Sequence, residues 1–391
     1  MGSFAATPRR SAWGGKAVRS IRAAVLRQSG AARPYAQSQP LQVTEVQLAE
    51  PGPGEVLVRI EAAGLCHSDL SVIEGNRPRP LPMVLGHESA GIIETLGAGV
   101  TDLQVGQRVV SVFLPRCENC AACATGGKLP CAAGSASNAA GTLLSGARRL
   151  TANAQPLHHH LGVSAFASHG VLDRRSVVPV GADVPPAVAA VLGCAVLTGG
   201  GAVLNAGKPL QGQSIMVLGL GGVGMAALLV AIAHTASWAR PAKLIAVDMN
   251  RDKLQRAREL GASVALTPEE AAEQGITADV VIEAAGHPRA FESAVRATSI
   301  GGTMVTVGLP APGALAAIEP LALTSGARTL IGSYLGSAIP ARDIPYYEQL
   351  WRDGLLPVEE LLTGQRPLSE INLAFDELAE GSTIRQLITF D

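Results

Sequence analysis

Ser214-Ile215-Met216-Val217-Leu218-Gly219-Leu220-Gly221-Gly222-Val223-Gly224 is the stretch on which the reading of this chain turns. It begins as an apolar run of strand length and passes into glycines spaced GxGxxG. Met225 to His234 then continues with helix-forming apolar residues. Strand, glycine turn and helix in that order are the context in which the spacing signals a dinucleotide site. Gly219 makes the tight turn, Gly221 lets backbone approach a pyrophosphate, and Gly224 lets helix and strand pack closely. Gly222 and Val223 lie where a helix N-terminus offers free N–H groups to phosphate. The plainer reading is a glycine-rich turn that holds no ligand. Asp248 closes the next apolar run, Leu244 to Val247, where an acid bonds the adenosine ribose. A carboxylate there repels the extra phosphate of NADP, since like charges about 4 Å apart at an effective dielectric near 20 cost on the order of 4 kcal/mol. NAD is the expected cofactor.

Outward from this motif the chain divides in two. Ser214 to Leu218, Lys243 to Val247, Val280 to Glu283 and Thr303 to Val307 are buried-strand runs with helical stretches between them, which predicts a parallel sheet with helices on both faces. Upstream, Ile21 to Arg27, Leu41 to Val46, Val56 to Ala63, Gly91 to Leu96 and Arg108 to Phe113 are short β-rich runs. Turns such as Pro51-Gly52-Pro53-Gly54 separate them, so an antiparallel, barrel-like β domain is expected there. The fold class is therefore α/β with a β-rich domain. The expected boundaries are residues 196–334 for the α/β domain, and 21–195 with 335–391 for the β-rich one, whose tail ends in the strand-like Gln386 to Phe390. Residues 1–20 carry Arg9, Arg10, Lys16 and Arg19 without an acid. They read as a disordered basic extension, with an organellar transit peptide as the alternative.

Ile215 to Ala233 is uncharged and long enough to suggest a membrane span, but four glycines split it into strand and helix, and the membrane reading is rejected. Net charge is −1 over 391 residues, so no global field draws the protein to nucleic acid or to a membrane surface. All six cysteines fall into two sets. Cys117, Cys120, Cys123 and Cys131 read C-x2-C-x2-C-x7-C, four thiolates that would close a tetrahedral structural zinc site in a lobe at about 114–132. Cys66 and Cys194 stand far apart with His87 between them. Two thiolates and one imidazole would leave a fourth zinc position open, as catalytic zinc requires. Alternatively, this second pair is simply buried cysteine. Either assignment needs a reducing compartment, and the cytoplasm is the expected location.

Gly64-Leu65-Cys66-His67-Ser68-Asp69, Gly86-His87-Glu88, the four-cysteine lobe, Gly193-Cys194 and GLGGVG follow one another in an order that resembles the zinc-dependent alcohol dehydrogenases of the medium-chain dehydrogenase/reductase superfamily. The resemblance spans roughly residues 21 to 391. It implies a GroES-like catalytic domain interrupted by a Rossmann domain, two zinc ions per chain, NAD, a small alcohol or carbonyl substrate, and a homodimer or homotetramer. By position, Cys66, His87 and Cys194 correspond to the catalytic zinc ligands and Ser68 to the proton-relaying hydroxyl. Asp69 matches the acid that orients the zinc-bound histidine, and Glu88 a nearby acid. His67 and Arg385 match contacts to the pyrophosphate, Lys253 a contact to the adenosine ribose, and Val307, Ser333 and Leu335 backbone positions around the nicotinamide. Phe113, Leu309, Arg77 and His160 map to the substrate pocket.

Departures from the pattern carry information too. Many relatives have a histidine three positions after the relay hydroxyl where this chain has Ser71, so the proton needs another exit. Arg77 and His160 stand where better-known pockets are apolar. Arg77 is read either as a solvated rim charge or as a cationic contact for a polar or anionic substrate tail. A glutathione-dependent formaldehyde dehydrogenase is the second enzyme reading, weakened because Ala132 to Gly146 contains no lysine or arginine to anchor an anion. The non-enzyme alternative is a zinc- and NAD-binding scaffold.

Overall fold

The computed structural model describes residues 18–127, 129–240 and 242–390; the expectation for the basic extension lies outside the described residues, apart from Val18 to Ser20. Those three open a first strand, Val18–Leu26, which pairs antiparallel with Leu41–Ala49 inside a six-stranded sheet. A second, seven-stranded sheet is centred on Glu55–Gly64, whose alternating valines, leucine and isoleucine are buried almost throughout. This strand pairs with Ser89–Leu96 on one side and His169–Asp173 on another. It also takes in the far end of the chain, with Leu387, Ile388 and Thr389 set opposite Gly64, Ala63 and Ala62.

The third sheet is wholly parallel and runs Val264–Leu266, Leu244–Val247, Ile215–Leu218, Ala278–Glu283, Thr298–Thr306, Thr329–Gly332. In chain order this is 3-2-1-4-5-6, so the direction of winding reverses between Ile215–Leu218 and Ala278–Glu283. A crevice outside the carboxyl ends of those two strands is where such sheets take ligands. Ile215–Leu218 is buried on both faces because helices cover both sides, which explains an apolar run without alternation. Helix Gly222–Thr235 follows it directly, so the span of membrane length is a strand and a helix.

A second long apolar segment, Pro186–Gly207, is helical and 89% buried over its most apolar window. It is a core element carrying Cys194, and a Leu192–Val196 stretch around that residue winds as a π-helix. Further along, a Cβ on Gly199 would lie 2.3 Å from the Val223 carbonyl oxygen, and one on Gly201 2.3 Å from that of Gly336. Only residues without a side chain let this helix touch, backbone to backbone, both the glycine-turn helix and the 333–337 loop.

Candidate active site

Cys66 caps the N-terminus of helix His67–Ile73, directly after the strand Glu55–Gly64. His87 enters just before Ser89–Leu96 on a turn that requires Gly86 (φ +92°), where a Cβ would lie 2.6 Å from the Phe166 nitrogen. The π-helical turn brings Cys194 to the same point. Ligand atoms of Cys66, His87, Cys194 and Glu88 all lie within 4.8 Å of one another, and Cys194 Sγ is 3.5 Å from His87 Nε2. All four residues are buried. The Cys66 thiol is held well below the ordinary range by its bond from Cys194, which outweighs burial, with Arg385 and His87 adding to the effect. Burial pushes the Glu88 carboxyl up to about 7. Neither of its oxygens has a hydrogen-bond partner, although Oε2 lies 3.4 Å from Arg385 Nη1. Two thiols, an imidazole and an under-satisfied buried carboxylate suit a soft divalent cation such as zinc.

Asp69, fully buried, accepts a 3.1 Å hydrogen bond from the Gly86 N–H and lies 3.2 Å from His87 Nδ1. Occupying Nδ1 leaves Nε2 free to face a metal. Burial pulls the Asp69 carboxyl upward, but the neighbouring His87 and His160 more than offset it and hold it at about 2. The expectation that His160 belongs to the substrate pocket is corrected by its position. It is 1% exposed, its Nδ1 lies 3.0 Å from Asp69, and its ring meets that of His87 edge-on at 5.5 Å. The short strand His158–His159 aligns with Met83–Val84 and carries the next residue inward, behind the ligand histidine rather than over the cavity. Only a contact map could have shown that.

In the lobe, ligand atoms of Cys117, Cys120, Cys123 and Cys131 likewise lie within 4.8 Å of one another. Cys131 Sγ accepts the N–H of Cys117 and of Gly134, each at 3.3 Å, at the head of helix Ala132–Ala140. Backbone groups of Ala132 and Cys123 lower the Cys120 thiol to about 6. Donors aimed at sulfur favour thiolate, the form that binds metal.

A cavity of about 440 Å³ runs from the inner cysteine–histidine cluster to the glycine turn. Cys66, Ser68, Phe113 and Cys194 form one end, and Gly219, Gly221, Gly222, Val223 and Asp248 the other. His67, Arg77, Val307, Leu309, Ser333, Leu335 and Arg385 line the cavity as well. Gly224 is buried in the helix, and its missing Cβ admits the Gly219 carbonyl. Lys253 is half-buried and does not line this cavity; its backbone N–H bonds the Asn250 side chain at the head of helix Arg251–Leu260. Asp248 Oδ2 accepts the Leu220 N–H at 2.5 Å and Oδ1 that of Asn250 at 2.8 Å, so this acid also braces the glycine turn. Arg385, 3% exposed, donates to the Leu65 carbonyl at 2.6 Å and fills the space a Cβ on Gly222 would take.

Ser71 also reaches the cavity, but its hydroxyl donates to the His67 carbonyl at 2.8 Å. Sequence reasoning overlooked Tyr334, which lines the wall and packs edge-on against Phe113 at 5.7 Å, and Thr198, beside the thiols. With aromatics at 3% of the chain, Tyr334 next to Ser333 and Leu335 was a signal worth weighing.

Residues 52–182 match the family model of the alcohol dehydrogenase GroES-like domain, and residues 222–352 that of the zinc-binding dehydrogenases. An alcohol dehydrogenase zinc-binding domain protein from Burkholderia ambifaria is 33% identical, with 96% of this chain and 100% of that one aligned at a TM-score of 0.87. Benzyl alcohol dehydrogenase from Acinetobacter calcoaceticus is 31% identical over 95% of this chain and 100% of its own, at 0.85. Acetophenone reductase from Geotrichum candidum, solved with NAD, is 25% identical over 96% and 98%, at 0.75.

Proposed function

Because the chain belongs to the zinc-dependent alcohol dehydrogenases of the medium-chain dehydrogenase/reductase superfamily, we propose that it interconverts an alcohol and an aldehyde or ketone with NAD, using one catalytic and one structural zinc. The observation that carries this reading is the single cavity joining the Cys66–His87–Cys194 cluster to the glycine turn and Asp248. A zinc held by Cys66, His87 and Cys194 would supply a Lewis acid that makes the alcohol proton easier to remove, while NAD would accept the hydride.

The chain's own residues account for the rest. Ser68, on the wall beside the thiols, is placed to take the alcohol proton. Ser71 has committed its hydroxyl hydrogen to the helix backbone but keeps lone pairs, so it can accept a hydrogen bond from a water that carries the proton onward. His67 lies on the same wall; burial lowers its pKa and so favours the neutral imidazole, which can accept a hydrogen bond at one ring nitrogen while donating from the other, as a proton relay requires. Arg385 and the head of helix Gly222–Thr235 bind pyrophosphate, and Asp248 offers carboxylate oxygens to the ribose. Phe113 and Tyr334 close the apolar side and keep water from the reacting carbon.

The test is direct. Purified protein should contain two zinc ions by native mass spectrometry and should form NADH from primary, secondary or aromatic alcohols. A chelator that removes one zinc should stop turnover before the fold is lost. A two-zinc protein that reduces neither NAD nor NADP across such a panel would overturn the reading.

A further inference from the structure

The proposed activity leaves one part of the cavity unexplained. Arg77 lines the wall, and its backbone N–H is pinned to the Ser71 carbonyl at 2.9 Å. Pro78 follows and restricts the chain further. Arg79, one residue beyond, is half-buried: Nη1 donates to the Asn138 carbonyl at 3.2 Å, while Nε is buried without any partner. Burial lowers the pKa of the Arg79 guanidinium and the charge of Arg77 lowers it further, while both arginines work against the burial that raises the Tyr334 hydroxyl. Among the described residues neither has a carboxylate within ion-pair distance. Asp248, the acid that reaches this cavity, is held at the glycine turn with both oxygens engaged. Two close cations without a counter-charge, one of them partly desolvated, are unfavourable until an anion arrives.

The lining narrows what kind of anion. The His87 ring meets Phe113 at 5.5 Å and Phe113 meets Tyr334 at 5.7 Å, each edge-on, and Leu309 lines the same cavity. The wall shared by the cysteine cluster and Arg77 thus carries two aromatic rings and a leucine, an apolar surface against which a substrate body can lie. Resting on the dehydrogenase reading above, we propose that Arg77, backed by Arg79, forms a carboxylate subsite. It selects alcohols and carbonyl compounds that carry a carboxylate joined to the reacting carbon through an apolar body.

The zinc-loaded enzyme would be assayed with para-(hydroxymethyl)benzoate, its neutral amide of the same shape, and benzyl alcohol. Wild-type protein should favour the carboxylate over the amide in kcat/KM, and the preference should shrink as salt rises. Arg77→Gln should lower the carboxylate-to-amide ratio by about ten- to hundredfold, the usual worth of one charge-assisted hydrogen bond, and Arg77→Lys should keep part of it. A ratio that Arg77→Gln does not move, or a wild-type preference for the amide, overturns the subsite while turnover of benzyl alcohol leaves the dehydrogenase reading standing. Failure to oxidise all three overturns both. Should Arg77→Gln not fold, the salt dependence of the wild-type ratio decides: a preference indifferent to ionic strength is not electrostatic.

Discussion

Asp69→Asn isolates what a single buried charge does for the metal site. The substitution keeps size and shape and exchanges one carboxylate oxygen for an amide nitrogen. In the parent, one carboxylate faces three nitrogens: Gly86 N–H at 3.1 Å, His87 Nδ1 at 3.2 Å and His160 Nδ1 at 3.0 Å. The asparagine carbonyl can serve only part of that set, and its NH2 confronts whichever ring nitrogen is left. His87 must then either rotate or take the tautomer that protonates Nε2, the nitrogen aimed at Cys194 and the metal. A hydrogen bond to a charged, buried group is worth roughly 1.5–3 kcal/mol. At about 1.4 kcal/mol per decade this predicts a ten- to hundredfold loss of zinc affinity, the size usual for the outer partner of a ligand histidine. Competition with a chromogenic chelator should show one of the two zincs weakened and the other, in the four-cysteine lobe, unaffected. Equal affinity for both zincs in parent and variant would refute the assignment, even if turnover fell.

Three further outcomes are expected. Cys120→Ser should lower the melting temperature and release one zinc, whereas Cys66→Ser should abolish turnover with a smaller effect on thermal melting; an active Cys66→Ser enzyme would remove that residue from the catalytic set. Asp248→Asn keeps an oxygen for the Leu220 N–H while deleting the charge, so the NAD-over-NADP preference should narrow by about two to three decades, worked from the like-charge repulsion of roughly 4 kcal/mol and read from Michaelis constants for both cofactors; a parent enzyme that already prefers NADP would contradict this. Burial holds His159 down at about 3 against an ordinary 6.5. The unfolded chain thus gains a proton below 6.5 that the folded chain refuses, and stability should fall as pH drops from 6.5 toward 3, by about 1.4 kcal/mol per unit. His159→Gln, which can still accept the Arg149 N–H, should flatten the acid limb of a chemical-denaturation series; an unchanged slope would mean the histidine is not the sensor.

Features written in local spacing were legible beforehand. GxGxxG between a strand and a helix reads directly because the turn, the helix start and the close packing each demand particular residues within a few positions. The cysteine lobe reads for the same reason. Elements that owe their existence to neighbours did not read. Val264–Leu266 and Thr329–Gly332 are too short to carry a periodic signal and form because the sheet beside them offers an edge. Linear position points His160 to the cavity, but a short parallel pairing turns it the other way. Arg79 went unnoticed because its significance is a missing partner, and absence of a partner is a property of three dimensions alone.

Backbone contact at Gly199 and Gly201 has a consequence for how such a protein can diversify. The separation between Cys194 and the dinucleotide turn is set by carbonyl oxygens meeting α-carbons, so no exchange of side chains can lengthen or shorten it without breaking the contact. It behaves as a ruler cut into the main chain. Arg77, Leu309 and Tyr334, which line the cavity, lie under no comparable restriction, since Leu309 and Tyr334 are partly open to solvent and Arg77 ends in a long flexible stem. Drift at those positions can rewrite which molecule is admitted while the gap across which a hydride must pass stays constant.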